Sequence, residues 1–172
     1  DGTAAVVRYN GDEEHVVVPN KMDGIPVKVI ENYAFASTDV VEVIIAEGIE
    51  KIQTDAFALC EKMEHISLPK SLKALEGSFC GCSKLTEVTF PSGNEMYTVL
   101  DGIVYNQAEN VLVLCPPGLE LERFTVPMGM RTIAEGAFYA NSTLKYVSLP
   151  LTLEKIETRA FLFTSALRII EL

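Results

Sequence analysis

Hydrophobic residues recur along the chain in a short unit, which is clearest near the C-terminus. There Val147 and Leu149 alternate with polar residues directly before Pro150. Alternation with a period of two predicts a β-strand with one buried face, and the proline ends that strand because it has no N–H to donate. An alanine-phenylalanine pair, Ala160-Phe161, closes the unit.

The closing phenylalanine recurs at a nearly constant interval. Phe35, Phe57 and Phe79 follow one another at 22 residues, and Phe138 and Phe161 are 23 residues apart. A period of this length predicts a solenoid of stacked units, because one unit alone cannot bury its apolar face. The five phenylalanines are therefore expected to form a column within a single continuous interior.

The repeat places the whole chain in one domain, since the pattern returns after each interruption. The expected parts are an N-terminal hairpin cap at residues 1–18 and a first block of repeats at residues 19–93. They are followed by an atypical unit at residues 94–121 and a second block of repeats at residues 122–172. A last half unit ending at Leu172 indicates that the C-terminal end of the stack is open or belongs to a longer protein.

Both predicted hairpins are based on β-prone runs around polar turns. In the first, the runs flank Asn10-Gly11, which is a strong turn signal. In the second, the apolar runs Ile103–Tyr105 and Val111–Leu114 are joined by a short polar stretch. This second hairpin is expected either to project from the solenoid or to be inserted into it.

Composition and charge limit the class of partner. The chain has 172 residues, of which 48% are hydrophobic, and this suffices for one folded domain with a sizeable core. Its formal charge of −10 disfavours nucleic acid and anionic membrane surfaces as partners. No apolar run is long enough for membrane insertion.

The four cysteines, Cys60, Cys80, Cys82 and Cys115, are too few for a disulfide scaffold at this length. Cys60 and Cys82 each follow a repeat phenylalanine by three residues, so they occupy equivalent positions in neighbouring coils. They are expected to fill the interior as small apolar side chains. A disulfide between them is the alternative if the coils stack closely.

No catalytic or metal-binding constellation stands out. The two histidines, His15 and His65, each precede a buried strand position and are expected to face outward from the same sheet. Two other strands, or nearly so, are expected to separate them, which disfavours a shared metal site. Motifs of hydrolases, zinc proteases and nucleotide-binding proteins are missing from the sequence. The sequence therefore predicts no enzyme, no cofactor and no metal.

The third unit carries a family resemblance. Its pattern is Met63-x-x-Ile66-x-Leu68-Pro69-x-x-Leu72-x-x-Leu75, followed by Ser78-Phe79-x-x-Cys82-x-x-Leu85. This pattern resembles the BspA-like leucine-rich repeats, also called the Treponema pallidum type. The resemblance implies a right-handed leucine-rich-repeat solenoid, mostly β, with a parallel concave sheet and short 3₁₀ or irregular structure on the convex side. It also implies an exported or surface-attached bacterial protein with adhesive function.

Solenoid curvature makes the concave sheet the expected binding surface. Strand alternation assigns its outward residues as His15, Val43, Ile45, His65, Ser67, Glu87, Thr89, Arg123, Thr125, Tyr146 and Ser148. Val43 and Ile45 are either an exposed contact patch or β-branched support for the sheet.

The resulting hypothesis is a non-enzymatic surface-exposed or secreted module that binds a host protein, such as a matrix protein, or a glycan. The alternative is a structural spacer array within a larger cell-surface adhesin.

Overall fold

The computed structural model describes residues 2–172, which form a β-solenoid and contain no helix. Short strands alternate with turns along the whole described chain. This confirms the predicted fold class, a repeat solenoid with parallel sheets. The strands are β1 (Ala4–Val6), β2 (His15–Val18), β3 (Lys21–Met22), β4 (Ile25–Ile30), β5 (Glu42–Ile45), β6 (Lys51–Ile52), β7 (His65–Ser67), β8 (Ala74–Leu75), β9 (Glu87–Thr89), β10 (Tyr97–Leu100), β11 (Ile103–Asn106), β12 (Val111–Leu114), β13 (Arg123–Thr125), β14 (Thr132–Ile133), β15 (Tyr146–Ser148), β16 (Lys155–Ile156) and β17 (Ile169–Glu171).

Two sheets run along the solenoid, and the atypical unit divides each of them. The sheet predicted to be concave, called the concave sheet below, consists of β2-β5-β7-β9 and of β13-β15-β17. All strand pairs in both pieces are parallel. The opposite sheet consists of β1-β4-β6-β8, with β3 beside β4, and of β10-β11-β12-β14-β16.

The sequence alternation explains the concave strands. In β7, Ile66 is buried while its neighbours His65 and Ser67 are partly exposed on the outer face. Leu68 is again buried, and Pro69 ends the strand. Because side chains of a strand alternate between its faces, each strand contributes one set of residues to the interior and one to the surface.

Phenylalanine rings stack along the interior, as the repeat predicts. The ring centroids of Phe35 and Phe57 are 4.9 Å apart, and those of Phe57 and Phe79 are 5.5 Å apart. Phe138 and Phe161 stack at 5.0 Å. Offset stacking of this kind stabilises the fold beyond the burial of the ring surface alone.

The prediction of one continuous interior was wrong, because the buried residues form two cores. The first three phenylalanines belong to one core and Phe138 to the other. The hairpin of β11 and β12 lies between the cores and contributes to both. Its residues Val104 and Val113 belong to the first core, whereas Ile103 and Leu112 belong to the second. Successive residues of a strand point to opposite faces, so a single hairpin serves as the partition.

The prediction of an N-terminal hairpin at residues 1–18 was also wrong for residues 2–18, which the structure describes. Strand β1 pairs in parallel with β4, and β2 pairs in parallel with β5. Neither Asn10 nor Gly11 has the positive φ that a type I′ hairpin turn requires. The segment forms a further coil instead, and Tyr9 stacks on Phe35 at 4.9 Å. Pairing with two existing sheet edges outweighs the local turn preference.

The second hairpin is confirmed. Strands β11 and β12 pair antiparallel around the polar stretch, with Asn106 opposite Val111. The hairpin is inserted rather than projecting, because all four residues of β11 are buried. The sequence analysis missed β10, which adds a third antiparallel strand to β11. Parallel stacking resumes where β12 pairs with β14.

Candidate binding surface

Two rows of outward side chains cross the first piece of the concave sheet. Strands β2, β5, β7 and β9 are in register, so that imidazole and carboxylate groups alternate along one row, and aliphatic residues give way to hydroxyls along the other. The first row is His15, Glu42, His65 and Glu87, and the second is Val17, Ile44, Ser67 and Thr89.

Each histidine of the first row contacts the carboxylate on the next strand. His15 Nδ1 lies 3.0 Å from Glu42 Oε2, and His65 Nδ1 lies 3.0 Å from Glu87 Oε2. The second contact has the distance of an ion pair but lacks the alignment of a hydrogen bond. Such half-exposed pairs contribute about 0–1 kcal/mol to folding, and their outer atoms stay accessible to a ligand.

The histidines are closer than the sequence analysis expected, since one strand, β5, separates β2 from β7. Glu42 lies between them in the row. Within residues 2–172, no group of three or more histidine, cysteine or acidic side chains is placed to hold a metal ion.

Two of the predicted surface residues face the interior. Val43 is fully buried and Ile45 is 3% exposed, whereas Ile44 between them is 40% exposed. The prediction of Val43 and Ile45 as surface residues was therefore wrong by one position. Glu42 and Ile44 replace them on the outer face, and a contact patch formed by Val43 and Ile45 is excluded.

The error has a physical cause in the spacing of the coils. Phe57 follows Val43 by 14 positions, but Phe79 follows Ile66 by 13. Counting back from the phenylalanine therefore shifts the strand by one residue, and a shift of one exchanges the two faces. The buried Val40, three positions before Val43, is the signal that would have fixed the register.

The second piece of the concave sheet presents rows of different character. They are Arg123, Tyr146 and Ile169, and then Thr125, Ser148 and Glu171. The Arg123 guanidinium carbon lies 4.0 Å from the centroid of the Tyr146 ring, in a cation–π contact. The structure thus places the nine other predicted residues on the outer face, and their role in binding stays a prediction.

A shallow depression of about 230 Å³ lies over β7. Its lining combines two carboxylates, one imidazole and two hydroxyls with a single aliphatic side chain. These belong to Glu42, Glu87, His65, Ser67, Thr89 and Ile66. The depression therefore offers hydrogen-bond donors and acceptors together, which suits a polar ligand group.

The cysteine positions belong to the interior and not to this surface. Cys60 Sγ donates to the Phe35 carbonyl at 3.0 Å, and Cys82 Sγ donates to the Phe57 carbonyl at 3.0 Å. Thr164 has the same role in the second core, where its hydroxyl donates to the Phe138 carbonyl at 3.1 Å.

All four thiols are free and buried, so the structure holds no disulfide between Cys60 and Cys82. The contact between these two thiols lowers the pKa of Cys60 and raises that of Cys82.

A crevice of about 720 Å³ lies outside the concave sheet and was missed by the sequence analysis. It runs between residues 70–73 and 92–96. Asn94 fixes one wall, because its Nδ2 donates to the carbonyls of Pro69, Lys70 and Leu72 at 3.0–3.2 Å. No sequence pattern marks this crevice, since one of its walls is the irregular loop at residues 92–96.

The fold and the stacked rows define the chain as a leucine-rich repeat protein. The model of the BspA type leucine rich repeat region matches six copies, over residues 14–107 and 117–172. The chain therefore belongs to the BspA-type leucine-rich repeat family. No curated protein matches the sequence significantly. Within residues 2–172 there is no helical segment with the length and apolarity that crossing a membrane requires.

Solved structures of bacterial proteins share the fold. The pneumococcal vaccine antigen PcpA is 28% identical, with a TM-score of 0.69 over 88% of this chain and 44% of its own. A leucine-rich repeat protein of T. pallidum is 23% identical, with a TM-score of 0.56 over 98% of this chain and 63% of its own. A leucine-rich cell surface protein of Faecalibacterium prausnitzii is 17% identical, with a TM-score of 0.51 over 99% of this chain and 72% of its own. The chain thus spans less than two thirds of the first two relatives.

Proposed function

We propose that the chain is a non-enzymatic binding module of the bacterial cell surface, and that it engages a host protein or glycan through the concave sheet. Membership in the BspA-type family and similarity to the antigen PcpA support the surface location. The observation that carries the proposal is the pair of side-chain rows across the concave sheet.

The rows have the composition of a recognition surface. Charged and hydroxyl groups from four strands meet beside the aliphatic side chain of Ile44, which is 40% exposed. Tyr146 and Arg123, residue types that dominate binding energy at interfaces, lie on the second piece of the same sheet. Burial of all four thiols, which removes the strongest nucleophiles from solvent, supports a non-enzymatic role.

Binding of the purified domain to immobilised host matrix proteins and glycans tests the proposal. His65→Ala combined with Tyr146→Ala is expected to weaken binding at least tenfold, because it removes one group from each piece of the sheet. Tyr33→Ala is the matched control, since it removes an exposed tyrosine outside the concave sheet. Unchanged binding of the double variant, with an unchanged circular dichroism spectrum, would place the binding site elsewhere.

The second candidate is a spacer array within a larger adhesin. The observation that favours it is the length of the relatives, since the chain spans 44% of PcpA and 63% of the T. pallidum protein. A spacer would leave binding to segments outside these repeats. A longer protein that contains the repeats and binds a host ligand, while residues 1–172 alone do not, would support this function.

A further inference from the structure

The concave sheet is interrupted between β9 and β13, and each of these strands has one free edge. Strand β9 ends the first piece and β13 begins the second, and no strand within residues 2–172 pairs with either free edge. We call this place the sheet break. Because neighbouring residues direct their backbone groups to opposite edges, the N–H and C=O groups of Val88 face the break. The same holds in β13 for Arg123 and Thr125, since the residues between and after them face β15.

The chain that leads to β13 contacts the residues just before β9, but β13 itself does not pair with β9. The Gly118 N–H donates to the Leu85 carbonyl at 2.8 Å, so the returning chain touches the residues before β9. A Cβ on Gly118 would lie 2.7 Å from the Lys84 carbonyl carbon, which shows how tightly the two segments approach. Strand β9 begins two residues after Leu85, whereas β13 begins five residues after Gly118. The extra length includes Leu119, which packs against the second core instead.

The interior is incompletely covered on the β13 side of the break. On the β9 side Val88 is buried, and the crevice of about 410 Å³ beside β9 lies between residues 88–90 and residues 97–99, without a residue of β13 in its lining. Phe124 occupies the inward position of β13 but is only partly buried, unlike Val147 in β15. Its ring is tilted by 52° against Phe138, whereas the rings of the phenylalanine columns lie within 19° of parallel.

We propose that the sheet break is a binding site for an extended peptide segment of a partner protein, which pairs with β9 and β13 as an added strand. Unpaired edge groups recognise any extended backbone, and this mode of binding gives affinity through main-chain hydrogen bonds. The inference deepens the proposed function, because the break lies on the concave sheet.

The neighbouring side chains specify the sequence of the segment. Its inward residue would lie between Val88 and Phe124, which selects an apolar side chain. One flanking outward residue would lie between Glu87 and Arg123, whose opposite charges select a polar group with both donor and acceptor atoms. The expected segment is therefore an apolar residue between two polar ones, which is the alternation of the repeat itself.

Amide hydrogen exchange resolved by NMR tests whether the edge is open. The Val88 amide faces the break, and the Ile66 amide of β7 faces the neighbouring strand β9. In the free protein the Val88 amide is expected to exchange at least tenfold faster than the Ile66 amide. Equal protection of the two amides in dilute protein would mean that the chain itself covers the edge, and would overturn the proposal.

A peptide with the sequence of residues 144–150, acetylated and amidated at its ends, is the probe for binding. It carries the polar-apolar-polar alternation of β15, which pairs with the other edge of β13. In fluorescence polarisation, binding is expected to fall at least tenfold when the nitrogen of Val147 in the peptide is methylated. Equal binding of the methylated peptide would exclude strand pairing.

Two protein variants separate the edge from its side chain. Thr125→Pro removes an edge N–H that faces the break, and proline is tolerated on edge strands. Thr125→Val keeps the backbone and the shape. The proposal expects at least tenfold weaker peptide binding for the proline variant alone, whereas equal losses in both variants would overturn it.

Two further outcomes would identify a different occupant of the sheet break or separate this inference from the proposed function. A protein that dimerises and protects Val88 in the dimer would show that a second copy occupies the break, and not a partner peptide. Failure of the peptide to bind, with matrix binding still sensitive to His65→Ala and Tyr146→Ala, would refute this inference and leave the proposed function intact.

Discussion

Truncation of Phe57 tests the stacked interior most severely. The ring is fully buried, and it stacks on Phe35 at 4.9 Å on one side and on Phe79 at 5.5 Å on the other. Phe57→Ala therefore removes the central member of three rings and leaves a cavity that neighbouring coils cannot close without shifting. Burial and cavity contributions together give an expected loss of about 4 kcal/mol in the free energy of unfolding.

Phe163→Ala is the matched control, because it is the same chemical change at a side chain that is 64% exposed. Its expected cost is below about 1 kcal/mol. Urea denaturation followed by circular dichroism measures both variants, and the midpoint of Phe57→Ala should fall far below that of Phe163→Ala. Costs that are equal within error, or a cost for Phe57→Ala below about 1.5 kcal/mol, would refute the stacked column.

Three further predictions concern the ion pairs and the register of the solenoid. The Arg159 guanidinium lies 3.0 Å from a carboxylate oxygen of Asp55, which is 104 positions away in the sequence. Arg159→Met therefore leaves the buried carboxylate of Asp55 without this partner. It should lower the free energy of unfolding, measured by urea denaturation, by about 3 kcal/mol. In an Asp55→Asn background the same change should cost much less. Two lysines on neighbouring coils lower the pKa of Glu50 from its ordinary 4.5 to about 2, so its contribution to stability is present above about pH 5 and lost as the pH falls toward 2. The difference in urea midpoint between wild type and Glu50→Gln should accordingly shrink over that range, and a constant difference would contradict it. Finally, Val43→Ala should lower the free energy of unfolding by about 2 kcal/mol, because Val43 is buried. Ile44→Ala should lower it by less than about 1 kcal/mol. The reverse order would contradict the assigned register.

Local patterns predicted the repeat correctly where the alternation is clean. In β7 and β15 polar residues separate the apolar ones and a proline follows, so that face and strand end are both determined. In β5 the run from Val43 to Ile45 is continuously apolar and alanine stands where the proline would be. The pattern then fits either register, and only stacking against the neighbouring strands decides between them.

Non-local contacts account for the other differences. The Asn10-Gly11 pair is a strong local turn signal, but pairing of β1 with β4 and of β2 with β5 depends on strands that come later in the chain. The partition of the interior by β11 and β12 follows from the position of the hairpin between coils, which its sequence does not encode. The contact of Arg159 with Asp55 crosses the whole atypical unit and has no signature in the spacing of either residue.

The same reasoning applies to the binding surface. Alternation identified nine outward residues of the concave sheet, because each lies beside an apolar residue that points inward. It missed Glu42, and with it the alternation of imidazole and carboxylate groups along the first row, since that row exists only when four strands are aligned. The sheet break was not foreseeable either, because free edges are defined by the pairing of strands and not by their composition.

Parallel stacking of the coils in the assigned register underlies both proposals, and nuclear Overhauser effects between backbone protons measure it directly. Isotope-labelled protein should show cross-strand contacts that link His15 with Glu42, Glu42 with His65, and His65 with Glu87. Contacts that instead connect Ile44 with Ile66, or that pair residues 5–9 antiparallel with residues 15–18, would contradict the stacked solenoid with its two rows of concave side chains.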